Sequence, residues 1–150
     1  MTKPAARVPP AAAWLGGLGA APFIGLALGA ALLRGAPRLA VIHALVTYGA
    51  TILSFLGGVH WGLAIGAREG AERGRLTGRL LLSVVPSLTG WAALLLPDTA
   101  GLWVLACAVA AMLWVDLRAT RLGEAPLWYP RLRVPLTCAV VTALLFGALA

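Results

Sequence analysis

Apolar residues run along this chain in five long blocks, from Ala11 to Leu33, Leu39 to Ala67, Leu80 to Leu96, Gly101 to Leu117, and Val134 to Ala150. A helix needs about 20 apolar residues to cross roughly 30 Å of hydrocarbon, and about 17 is near the lower limit. Each block therefore predicts a transmembrane helix. The fold class that follows is all-α, a polytopic membrane helical bundle in one domain over residues 1–150. Alternation with period two, the mark of a membrane β-barrel, is absent. The second block exceeds what a perpendicular crossing requires and is expected to tilt, while the third and fifth are short and should stand upright. Gly57-Gly58 and Pro86 interrupt two of the blocks. A bundle tolerates this, because neighbouring helices satisfy the freed backbone groups. The first block follows Lys3 and Arg7 as a secretory signal would, but its roughly 23 apolar residues exceed the core of a signal, so a retained helix is expected.

Composition and charge sharpen this reading. A water-soluble domain could not cover itself when 61% of its residues are hydrophobic and 11% charged. The net charge of +7 falls in short segments between the blocks. This is membrane-flanking charge, and it argues against a nucleic-acid partner. The side that holds the amino terminus receives Lys3, Arg7, Arg68, Arg73, Arg75, Arg79, Arg118, Arg121, Arg131 and Arg133. The other side receives Arg34 and Arg38. This bias predicts a cytoplasmic amino terminus and a periplasmic carboxyl terminus. An arginine-, alanine- and glycine-rich composition fits a GC-rich bacterial genome, hence a bacterial inner membrane. Expected partners are the lipid bilayer and either a larger membrane complex or a homo-oligomer. The longest connection, residues 118–133, contains Trp128-Tyr129 and is expected to lie along the interface, where amphipathic rings are satisfied.

Polar residues inside the blocks are the candidates for chemistry. Turning about 100° per residue, the second helix gathers His43, Thr47, Thr51, Ser54, Gly58 and Trp61 within an arc of about 80°, a small polar face suited to close helix packing. Ser83, Ser87 and Gly90 repeat the theme on the third helix beside Pro86. His43 lies near the start of its helix and is expected at the interface. His60, set among Gly57, Gly58 and Trp61, is the stronger functional candidate. The two histidines stand about 25 Å apart along one helix and cannot share a metal. Asp116 is the one acid within a predicted span, close to Arg118. Cys107 and Cys138 lack ligand or disulfide spacing and read as packing residues. No phosphate loop, HExxH, DxD or GxSxG motif is present, so no catalytic residue and no metal site is assigned, and the cofactor is left unknown.

Three stretches together carry a family resemblance. They are Tyr48 to Gly62, which ends Gly57-Gly58-Val59-His60-Trp61-Gly62; Pro86-Ser87-Leu88-Thr89-Gly90-Trp91; and Asp116 with Trp128-Tyr129-Pro130-Arg131-Leu132-Arg133-Val134-Pro135-Leu136-Thr137. The chain resembles the bacterial and mitochondrial proteins related to transmembrane protein 69, a domain of unknown function. The resemblance implies a small inner-membrane protein and a polar or basic group, not a metal ligand, at position 60.

Helix direction gathers these residues at the cytoplasmic end. The expected polar cluster comprises Ser54, Gly57, Gly58, His60, Trp61, Ser83, Ser87, Asp116, Trp128, Tyr129, Arg131 and Arg133, with Asp116–Arg133 as its main pair. The first functional reading is a non-enzymatic accessory or assembly protein of a larger membrane complex. The alternative is a small carrier or binding protein for a lipid, quinone or ion, which requires a pocket at that end. A lipid enzyme is the third reading and needs His60 within proton-transfer reach of Asp116.

Overall fold

A computed structural model describes residues 7–66 and 73–150, with side chains at 73–75 excepted. It contains five helices: α1 (Pro10–Leu32), α2 (Gly35–Ile65), α3 (Arg73–Leu94), α4 (Asp98–Arg121) and α5 (Tyr129–Leu149). Among the described residues there is no strand. α1, α2, α4 and α5 are long and apolar enough to cross a membrane. α3 has the length, at 22 residues, but Arg79, Ser83, Pro86, Ser87 and Thr89 dilute its apolar character. Lys3 and Arg68, two of the cations in the orientation argument, lie outside the described residues.

Short connections make consecutive helices antiparallel, so α2 and α4 end where α3 and α5 begin. α2 packs against all four other helices. The core is built from Phe23, Leu45, Leu53, Leu102, Leu105 and Leu144, none of which is solvent-accessible. Tyr48 packs tilted against Phe23, ring centroids 4.9 Å apart, and donates its hydroxyl to the Gly19 carbonyl, fixing α1 against α2. The outside is equally apolar: Trp14, Leu32, Phe55, Trp91, Trp114 and Leu149 are largely exposed. Lipid accepts such a surface, and water would not.

Three expectations need correction. The residues 118–133 do not form one interfacial loop, because α4 continues to Arg121 and α5 begins at Tyr129. Gly123 terminates α4, two residues past its last residue, with φ +73°. Its N–H donates to Thr120 and that of Glu124 to Ala119, the double bond of a Schellman cap. Gly123→Ala forces a left-handed alanine and is expected to cost about 1 kcal/mol, read as a lower midpoint of thermal unfolding in detergent.

The polar face of α2 is the second correction, in part: Ser54 bonds Ser87 of α3, but most of the face does not pack inside the bundle. His43, Thr47, Thr51, Ser54, Gly58 and Trp61 all lie exposed, while Leu45, Gly49, Leu53, Leu56 and Gly57 face inward. Thr47 and Thr51 return their hydroxyls to the carbonyls of His43 and Thr47. That back-bonding satisfies them without a partner helix. Third, Cys107 and Cys138 are exposed and contribute nothing to the core packing.

Candidate functional site

Helix α2 brings His60 to within five residues of its end, α4 does the same for Asp116, and α5 opens with Tyr129 and Arg133 in its first two turns. Those three helix ends lie together, and Asp116 is the hub. His60 Nε2 lies 2.8 Å from Asp116 Oδ1, and Arg133 Nε donates to Asp116 Oδ2 at 2.6 Å. Tyr129 directs its hydroxyl at the same carboxylate. The Asp116 side chain is 1% exposed, against 9% for Arg133 and 10% for His60. A carboxylate this deep survives as an ion only with its charge matched and both oxygens engaged. Arg133 supplies the charge, and His60 holds the second oxygen.

Asp116 sits deeper than its distance from Arg118 suggested, because the helix runs on past that arginine. Arg118 instead rests over the Trp114 ring, 5.6 Å from its centroid, at the i, i+4 spacing that stacks side chains along a helix face. Among the described residues, Arg133 Nη2 and Thr137 Oγ1 are buried polar atoms with no hydrogen-bond partner.

The other candidates divide by layer. Gly57 packs directly on the Ser83 backbone, beside Pro86, so α2 and α3 touch main chain to main chain. Ser83 itself is buried and donates to the Leu80 carbonyl. One turn away, Ser54 and Ser87 share a hydrogen bond of 2.9 Å across the same seam. Trp128 stands edge-on to Tyr129 at 6.0 Å, and both join a small cluster with Ala119, Ala125, Val59 and Leu63. The Trp-Tyr pair is thus folded into the bundle instead of lying along its surface. Gly58, Trp61 and Arg131 are exposed. At the opposite end, His43 Nδ1 meets Asp98 Oδ1 at 3.1 Å in an exposed pair.

His60 also lines a cavity of about 590 Å³ between α2, α3 and α4, which shares its walls with Arg79, Trp114, Arg118 and Glu124. Arg79 Nη2 and Glu124 Oε2 form an ion pair of 3.3 Å across it. Nothing along the chain marks these four residues as a group. The only trace is the Trp114/Arg118 spacing, which any helix could show by chance. The His60–Asp116 contact meets the distance that the lipid-enzyme reading required. Among the described residues, no group of three or more potential metal ligands assembles.

The family model described as "Protein of unknown function (DUF3429)" matches residues 8–149. Transmembrane protein 69 of Xenopus tropicalis is 40% identical over 106 residues, which cover 69% of this chain and 40% of that relative. The chain therefore spans less than half the length of that relative. No solved structure matches.

Proposed function

The chain belongs to the DUF3429 family of transmembrane proteins, and from that premise we propose that it is a membrane-embedded binding protein for an amphipathic small molecule. Its site is the cavity floored by His60. The observation that carries this reading is the cavity of about 590 Å³ directly beside the buried His60–Asp116–Arg133 network. Pockets with mostly apolar walls and a few fixed polar groups are the usual form of ligand sites. The network holds His60 in one orientation, so the polar wall is organised before a ligand arrives.

Native mass spectrometry of gently extracted protein tests it. A retained small molecule is expected, lost in Gly78→Trp, which fills the cavity from α3 at a position with open space around it. A bare protein mass in every mild preparation would overturn the reading.

A second reading, an accessory protein within a larger membrane complex, is favoured by the outward ridge of α2. Gly58 and Gly62 stand four residues apart, and a Cβ at either would meet nothing within 4 Å. Small residues at this spacing let helices approach closely in lipid. Co-purification of a stoichiometric partner supports this reading, and a strictly solitary protein removes it. For either reading we propose that the His60 end faces the cytoplasm of a bacterial inner membrane. The support is the arginine excess at that end, Arg7, Arg79, Arg118, Arg121, Arg131 and Arg133 against Arg34 and Arg38.

A further inference from the structure

We propose that the ligand of this cavity is an anionic phospholipid, its phosphate gripped by Arg79 and Arg118 and its binding opposed by Glu124. This inference rests on the binding reading above and names the ligand class.

The charge balance of the cavity points there. Asp116 carries the nearest buried negative charge, but its two oxygens are held by His60 and Arg133, which turns that charge away from the cavity. What faces the space is two guanidinium groups and one carboxylate, a surplus of one positive charge before His60 is considered. Arg118 rests on the Trp114 ring, and a π face engages the charge of a guanidinium without using its N–H donors. Those donors suit the bidentate recognition of a phosphate.

Arg79 is held by Glu124 at 3.3 Å, longer than the roughly 2.7–2.9 Å of a strong charge-assisted bond, with both side chains part-exposed. Such a pair contributes little and exchanges readily for a better anion. Glu124 occupies the place on Arg79 that a phosphate oxygen would take. Its backbone closes the Schellman turn on the short connection between α4 and α5, and its side chain can withdraw without moving a helix.

The source of the phosphate follows from position. Arg118 and Arg121 belong to the last turn of a helix that crosses the membrane, at the level of headgroups, and the adjoining cavity walls are apolar, with Leu82, Val115 and Leu122. A lipid places phosphate and hydrocarbon at these two heights at once.

The test uses the full chain in mild detergent, titrated with phosphatidylglycerol or phosphatidylcholine and read by native mass spectrometry. Phosphatidylglycerol should bind about tenfold more tightly than the zwitterionic lipid. The double variant Arg79→Gln/Arg118→Gln should bring the two lipids level, and Glu124→Gln should strengthen phosphatidylglycerol binding about threefold. Because Glu124→Gln acts in the opposite direction, general misfolding cannot mimic the pattern. Equal binding of both lipids, or an unaltered double variant, overturns the inference and leaves the binding reading standing. Displacement of the lipid by excess glycerol phosphate overturns the lipid assignment in favour of a soluble phosphate ester. If neither lipid nor phosphate ester binds, the inference falls, and the binding reading is then decided by whether gently extracted protein retains any small molecule.

Discussion

Asp116→Asn is expected to lower the thermal midpoint of the detergent-solubilised protein by on the order of 10 °C, a loss of about 3–5 kcal/mol. The amide keeps the size and one acceptor of the carboxylate but removes its charge. Arg133 is then left as a cation 91% withdrawn from solvent with no counter-ion among the described residues. The cost is chiefly that stranded charge, not the lost bond. Arg133→Gln should cost less, because the buried carboxylate keeps its contact with His60, 2.8 Å away, and the glutamine amide remains a hydrogen-bond donor. The double variant Asp116→Asn/Arg133→Gln should be more stable than the sum of the two losses predicts, since it strands no charge. A midpoint for Asp116→Asn within 2 °C of the parent would show that the pair does not hold the helix ends. If both single variants stay fully stable yet abolish a physiological phenotype, the network serves function and not structure.

The second large effect is expected at Gly57, and its neighbour provides the control. A Cβ on Gly57 falls onto the Ser83 carbonyl oxygen, well inside van der Waals contact, with Pro86 ring atoms at 3.4 and 3.5 Å behind it. Backbone cannot swing aside as a flexible side chain can. Gly57→Ala should therefore push α3 off α2 and cost about 1–3 kcal/mol, and Gly57→Leu should prevent folding. Gly58→Ala meets nothing within 4 Å and replaces glycine in the middle of a helix. It should be neutral or stabilising by up to about 1 kcal/mol. Equal shifts for Gly57→Ala and Gly58→Ala in the same thermal assay would contradict a main-chain contact between α2 and α3 at Gly57.

These two glycines also mark the limit of what the sequence discloses. It singled out Gly57 and Gly58 together, as it did His60 with Trp61 and Ser83 with Ser87, because their identity and depth can be read along the chain. Which member of each pair faces inward cannot. Gly57, His60 and Ser83 turn into the bundle, while Gly58 and Trp61 turn out. The polar arc on α2 divides in the same way, with Ser54 meeting Ser87 of α3 while Thr47 and Thr51 bond back to their own helix.

Hydropathy alone determined that this protein is a set of membrane-crossing helices, because a bilayer admits backbone only when its hydrogen bonds are closed within the segment. Chain direction then placed His60, Asp116, Tyr129 and Arg133 at one end, since short connections force successive helices to alternate. The rotation of each helix about its axis was decided only in three dimensions. In water, burial of an apolar stripe fixes that rotation. In lipid both faces are apolar, so close backbone fit at Gly57 and charge matching at Asp116 take over. The cavity with Arg79, Arg118 and Glu124 follows from those rotations, and it could be seen only once they were known.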